Sequence, residues 1–265
     1  ILTSKLILTQ RNYFSRKASL EYMSVSQFKA FEKCQAAALA EIKGKYKREK
    51  TTALLVGSYV DAYFEGTLAN FIRDNPEIFK KDGTPKADYL QAEIIIQRIL
   101  KDKLFKKYLS GEKQVIMTGE ISGVPVKIKI DSLHPDKIVD LKVMANFDDV
   151  YIPEKGRMPW FEAWGYDLQG AVYQEIVRQN TGKKLTFYLA AATKEKVTDI
   201  DIVLLNQNML DAALERFKEG VEMFDAIKQG VIAPDRCGSS SAPAWAWMPS
   251  AEVGSVVSST FSGIS

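Results

Sequence analysis

The segments Val126–Leu133 (VKIKIDSL) and Ile138–Val143 (IVDLKV) decide where the chain folds back and where its chemistry sits. In the first, Val126, Ile128 and Ile130 alternate with Lys127, Lys129 and Asp131, the period-two pattern of a strand with one buried and one polar face. In the second, Val139 and Leu141 take the buried face and leave Asp140 and Lys142 together on the other. Side chains two apart on a strand lie roughly 6.5–7 Å from each other, so Asp140 and Lys142 are neighbours. Between the segments, His134-Pro135-Asp136-Lys137 reads as a turn, because Pro presets φ and Asp bonds its own backbone. Folding back there sets Asp131 beside the Asp140 strand. An Asp inside a strand runs against propensity, which favours a functional reason for it. Two carboxylates and a lysine at the end of a hairpin suit metal-dependent phosphodiester hydrolysis. Carboxylate oxygens hold Mg²⁺ or Mn²⁺, the metal activates a water, and the lysine steadies the water or the developing phosphate charge. The same residues also read as the surface charges of a solvated hairpin.

The rest of the chain sets the frame. It has 265 residues, 46% hydrophobic and 26% charged, with a net charge of +3. That is an ordinary globular composition with enough apolar residues for a core without disulfide staples. Two cysteines, Cys34 and Cys237, fit a reducing cytoplasm and are too few for a Cys-rich zinc site in one chain. No run is apolar and long enough to span a membrane. The opening ILTSKLILTQ is too short and weakly patterned for a signal peptide, and the missing Met fits a processed or trimmed start. Two basic clusters, Lys43, Lys45, Lys47, Arg48 and Lys50, then Lys101, Lys103, Lys106 and Lys107, read either as phosphate contacts or as solvated faces.

Periodicity predicts a helix capped by Ser24 or Ser26 that runs through Phe28, Phe31, Cys34 and Ala38. A largely apolar helix follows over about 51–64, with Asp61 and Glu65 on one face. A charged helix is expected over about 87–108. A strand at 115–121, with Gly123 in the following turn, completes a three-strand meander with the two opening segments. A long helix at 160–181, strands at 186–192 and 199–205, and a helix at 207–229 close the fold. On the 160–181 helix, Glu162, Tyr166, Gln169 and Tyr173 share a face. Gln169 between tyrosines suits orientation of a substrate or a catalytic lysine, or else belongs to a seam packed on the sheet. Residues 238–265 are rich in Ser, Ala, Gly and Val with Glu252 as the one charge, and read as an atypical tail, with a short strand near 253–257 compatible with the pattern.

Taken in order, these features resemble a known family. An N-terminal Ser-x-Ser helix comes first, then GSYVDAYFEG at 57–66 and Glu120. PVKIKIDSL, IVDLK with Asp140-x-Lys142, and YDLQGAVY at 166–173 follow. The series resembles the RecB-like branch of the PD-(D/E)xK nuclease superfamily, and within it the phage and prophage exonucleases of the exonuclease VIII (RecE) type, over residues 20–237. The resemblance implies an α/β (α+β) fold with a restriction-endonuclease-like core, a central mixed sheet flanked by helices. It implies a single nuclease-like domain at 1–237, with an N-terminal extension at 1–20. Asp131 and Asp140 would be metal-binding carboxylates and the Leu141 backbone carbonyl a further ligand. Lys142 would be the catalytic lysine, with Gln169 and Tyr173 supporting the lysine and DNA. Asp61 stands where many members carry a metal-binding His, and Glu120 matches an acidic position on the first strand.

By the same resemblance the protein would be a Mg²⁺- or Mn²⁺-dependent exonuclease of a bacterial or phage-infected cytoplasm. It would resect linear double-stranded DNA 5′ to 3′ for recombination and hand the single strand to an annealing recombinase, with a homo-oligomeric ring as a route to processivity. Some relatives hold an iron–sulfur cluster on cysteines. Cys34 and Cys237 cannot supply the four thiolates, so no such cluster is expected. The change of composition after Cys237-Gly238 suggests that a Cys-containing end has been replaced, by a reading-frame change or by divergence. Three alternatives stay open: a sequence-specific nuclease, a catalytically silent DNA-binding or recombination-accessory protein with a nuclease fold, and an interaction protein whose acids are surface charges.

Overall fold

A computed structural model describes residues 5–47, 49–153 and 155–236. The tail at 238–265 and Cys237 lie outside the described residues. Five helices come first: α1 (Arg16–Glu21), α2 (Val25–Lys33), α3 (Gln35–Ile42), α4 (Thr52–Glu65) and α5 (Leu68–Asp74). A 3₁₀ turn at Pro76–Ile78 leads to α6 (Ala87–Lys101) and α7 (Lys103–Tyr108). The strands β1 (Glu112–Ile121), β2 (Val124–Leu133) and β3 (Lys137–Met144) follow, then the short pair β4 (Val150–Ile152) and β5 (Gly156–Met158). The order closes with α8 (Trp160–Ala163), α9 (Tyr166–Thr181), β6 (Thr186–Thr193), β7 (Ile200–Leu204) and α10 (Gln207–Gln229). Among the described residues no helix is long and apolar enough to cross a membrane.

The described chain forms two compact units. One takes residues 5–47, 121–125 and 219–236. Ser24 opens α2 with a capping box, accepting from Gln27 N while Gln27 Oε1 accepts from Ser24 N. The unit's core is aromatic: Phe224 of α10 meets Phe28 edge-on at 5.0 Å and stacks on Phe31 at 5.3 Å. The helix expected through Ala38 is broken at Cys34, whose extended backbone separates α2 from α3.

The other unit takes residues 49–120 and 126–218 and carries the sheet, ordered β1-β2-β3-β6-β7. The expected meander is present as β1-β2-β3. Ser122 and Gly123 join β1 to β2 with φ of 48° and 73°, the two positive values that a tight two-residue hairpin needs. β6 lies parallel to β3, with Asp140 opposite Leu189 and Lys142 opposite Ala191, so the sheet is mixed. Val139 and Leu141 of β3, with Ala190 and Ala192 of β6, face α4 and α6 and are buried under Leu55, Val56, Val60, Ile95, Ile96 and Ile99. The opposite face receives α9, where Gly170 lets the helix approach Phe187 and Leu210. Ile138, Asp140 and Lys142 therefore run along the α9 side of β3, from apolar to charged toward its C-terminal end.

Two expected helices are interrupted for visible reasons. Asp102 stops α6 and caps α7 by accepting from Phe105 N at 2.8 Å. Gly165, left-handed at φ 65°, ends α8 and restarts the chain as α9. Between β3 and α8, where the sequence pattern predicts no strand, lies the β4–β5 hairpin. The expected polar face of β2 is also not a solvent face: Lys127 is buried.

A Cβ at position 170 would stand 2.9 Å from both Leu210 Cδ2 and Phe187 Cδ1. Gly170→Ala is therefore expected to lower unfolding free energy by about 1–3 kcal/mol, read from the midpoint of urea unfolding.

Candidate active site

The ladder between β2 and β3 includes Leu133↔Ile138 and Ser132↔Val139. One step further Asp131 and Asp140 would face each other, and just beyond, a side chain takes the place of a backbone partner. The N–H of Leu141 donates to Asp131 Oδ2 at 3.0 Å. The carboxylate thus occupies the fork between the strands and is tied to the peptide that joins Asp140 to Lys142.

Asp140 is 2% exposed. Gln169 of α9 donates from Nε2 to its Oδ1 at 2.7 Å, and Lys142 Nζ pairs with its Oδ2 at 2.5 Å. The Lys142 ammonium also stands 4.9 Å from the centre of the Tyr166 ring, a cation–π contact that its position two residues beyond Asp140 makes available. Tyr166 begins α9, so the break at Gly165 is what brings that ring to the lysine. Asp61 approaches from α4. It shares a narrow pocket with Phe64, Glu65, Leu109, Lys113, Asp131 and Leu141.

The structure therefore brings Asp61, Asp131, Asp140, Lys142, Leu141 and Gln169 to one place. The partner expected for Gln169 changes: its amide bonds Asp140 rather than the lysine. Tyr173, a helical turn later, donates to the Lys129 carbonyl at 3.1 Å and packs edge-on against Phe187, so it fastens α9 to β2. Glu120 does not join the group. It is exposed near the hairpin turn, with its N–H and carbonyl both bonded by Gln179. The strand residue that reaches Asp131 is Gln114, six positions earlier and roughly 20 Å away along β1.

Three neighbours escaped the reading of the sequence. Gln114 donates from Nε2 to Asp131 Oδ1 at 3.3 Å, and its φ of 55° is a left-handed value that disfavours a residue with a Cβ by roughly 1–2 kcal/mol. Lys113 lines the pocket beside Asp131. Lys194 follows β6, donates from Nζ to the Ala53 carbonyl at 2.8 Å and contributes positive charge near Asp61. No spacing marks any of them, because β1 and the residue after β6 reach the site from segments apart from the Asp140–Lys142 stretch. The exposed lysines of the second basic cluster, Lys103, Lys106 and Lys107, stand on α7, just before Leu109 and Lys113 of the pocket wall.

Burial pushes Asp61 up to about 7. Lys142 and Lys194 oppose that rise, while Glu65 and Asp140 add to it. Burial likewise raises Asp131 well above the usual carboxylate range, reinforced by the Asp140 charge and opposed by Lys142. For Lys142, burial works against the ammonium, but the attraction of Asp140 and Asp131 together exceeds it and the pKa rises. Burial lowers Lys113 and Lys194 in spite of Asp131 and Asp61 respectively.

The donor set is that of a hard divalent cation. Three carboxylates are present, and Asp61 Oδ1 is buried without a hydrogen-bond partner. Among the described residues no three Asp, Glu, His or Cys side chains already stand as a ready ligand group. A divalent cation bound there would offset the burial that disfavours charge on Asp61 and Asp131.

Both acids have folded-state pKa values above their unfolded ones. Their contribution to stability is present at low pH and is lost as pH rises through about 7 for Asp61. Without added metal, the wild-type protein is expected to lose on the order of 1–3 kcal/mol between pH 5.5 and 8. Asp61→Asn is expected to flatten that slope in urea melts across the same range.

No curated protein matches the chain by sequence. Among solved structures, a candidate exonuclease from Eubacterium rectale superposes with a TM-score of 0.86 at 49% sequence identity, covering 89% of this chain and 92% of that one. A family model described as a PDDEXK-like domain of unknown function matches residues 24–242, which includes every residue of the cluster around Asp140. The mixed sheet flanked by helices is accordingly a PD-(D/E)xK nuclease-like fold, and the chain belongs to the PDDEXK-like domain family DUF3799.

Proposed function

We propose that this protein is a divalent-cation-dependent exonuclease that hydrolyses phosphodiester bonds from the ends of linear double-stranded DNA. The observation that carries the reading is the fork: Asp131 bonded to Leu141 N–H, with Asp140 held between Gln169 and Lys142. The family and the likeness to a candidate exonuclease support the reaction class.

In this reading Asp131, Asp140 and the Leu141 carbonyl hold Mg²⁺ or Mn²⁺, with Asp61 in support. The cation supplies Lewis acidity toward the scissile phosphate and lowers the pKa of the attacking water. Gln169 fixes the plane of the Asp140 carboxylate, so that one oxygen stays turned toward Lys142. Lys142 has its charge secured by Asp140 and Asp131, and its side chain is 19% exposed, which leaves the ammonium within reach of a substrate. There it orients the nucleophilic water and offsets the charge that builds on the phosphoryl oxygens. Tyr166 limits where the ammonium moves. Lys103, Lys106 and Lys107 supply electrostatic attraction for the DNA backbone beside the pocket. Resection for recombination, 5′ to 3′ polarity, an annealing-protein partner, ring assembly and a cytoplasmic setting belong to the same proposal, as does one nuclease-like domain through residue 237.

The test is digestion of linear duplex DNA labelled at either end, with and without Mg²⁺, beside a covalently closed circle. Wild-type protein is expected to degrade the linear DNA only with the cation and to leave the circle intact. Lys142→Ala and Asp140→Ala are expected to lose about 10²–10³-fold or more in rate, and Gln169→Ala about 10-fold. A wild-type protein that binds Mn²⁺ and linear DNA yet cleaves neither strand would overturn the enzymatic reading in favour of a silent DNA-binding protein.

A further inference from the structure

Among the described residues, two that are not glycine have positive φ. Ser122 sits in the β1–β2 turn, where the hairpin demands that conformation. Gln114 is the third residue of the ten-residue strand β1, where no turn demands it. A strand in regular geometry sends consecutive side chains to opposite faces. Here Lys113 lines the pocket with Asp61 and Asp131, and the next residue, Gln114, also reaches Asp131. At this left-handed residue two successive side chains approach the same carboxylate.

The contact that Gln114 makes is specific. Gln114 is 8% exposed, and its side-chain amide donates to Asp131 Oδ1 while the Leu141 N–H donates to Oδ2. The opposite amide orientation would aim Oε1 at a carboxylate oxygen, so the geometry selects Nε2 as the donor. A carboxylate held through one oxygen still turns about its last torsion, which is broad for an sp³–sp² bond. A second donor from a different strand removes that freedom. Because the donor is a neutral amide, it brings no charge of its own to Asp131, and each oxygen keeps a lone pair for another partner. A lysine in the same place would hold the group as well and neutralise it.

We infer that Gln114 is a positioning residue, whose amide sets the orientation in which Asp131 meets the divalent cation. The inference rests on the reading of Asp131 as a cation-binding carboxylate.

Gln114→Gly separates this role from a structural one, because glycine adopts the same φ without strain and carries no amide. Gln114→Asn is the second variant: Asn tolerates left-handed backbone, but its side chain is one carbon too short to reach. The readout is the Mn²⁺ dissociation constant from isothermal titration calorimetry at pH 7.5, with the metal-free melting temperature measured beside it. Both variants are expected to weaken Mn²⁺ binding by about 10-fold, with Gln114→Gly folding at least as stably as wild type. In an Asp131→Asn background, Gln114→Gly is expected to cause no further loss. An unchanged constant in both single variants, with wild-type binding intact, overturns this inference alone. An equal loss in the Asp131→Asn background also overturns it, since Gln114 would then act elsewhere. A wild-type protein that binds no Mn²⁺ overturns the cation reading of the whole cluster, and this inference with it.

Discussion

The hydrogen bond from the Leu141 amide to Asp131 is the constraint on which the site depends. A buried peptide N–H needs an acceptor, and at this point of the sheet the acceptor is a carboxylate. The bond joins the fork of β2 and β3 to the Asp140–Lys142 dipeptide step by one peptide unit. Moving Asp131 away would leave that buried amide without its acceptor. The apolar neighbours make that backbone rigid, because Val139 and Leu141 are buried under α4 and α6 while Ile138 is buried on the other face. Charged residues are thus presented by a strand whose alternate side chains lie in the core.

Around this point the charges are balanced but incompletely satisfied. Lys142 secures Asp140, and Gln169 and Gln114 hold one carboxylate each through neutral amides. Asp61 has a buried oxygen with no donor. Burying unpaired carboxylates shifts them toward the protonated form rather than stabilising the fold, which matches the direction seen for Asp61 and Asp131. Such a cluster makes poor sense as a device for stability. It makes good sense if a cation completes it, and that is the logic of the proposed function.

Much of this was legible in the chain itself. Alternation over 126–133 and 138–143 located the strands, the Pro-Asp turn fixed their return, and the spacing of Asp140 and Lys142 put both on one face. Strands β6 and β7 and helix α10 fell where their patterns placed them. The helix breaks at Cys34, Asp102 and Gly165 were not legible, because apolar periodicity continues across each of them. What ends each helix is a single backbone conformation or a cap, and both are local choices that a repeating pattern does not report.

By itself, then, the sequence determined the five strands of the main sheet, their alternation, and which acids and lysine are drawn together by a single turn. Only the tertiary structure decided the partners of those groups. Gln169 went to Asp140 because the break at Gly165 and the close seat of Gly170 on Phe187 set where α9 begins and how near it lies. Glu120 and Gln114 are both on β1, yet hairpin register, counted from the Ser122-Gly123 turn, placed Gln114 at Asp131 and carried Glu120 to the far end. Lys113 and Lys194 came from segments distant in the chain, and no local spacing encodes a contact made only when separate elements pack together.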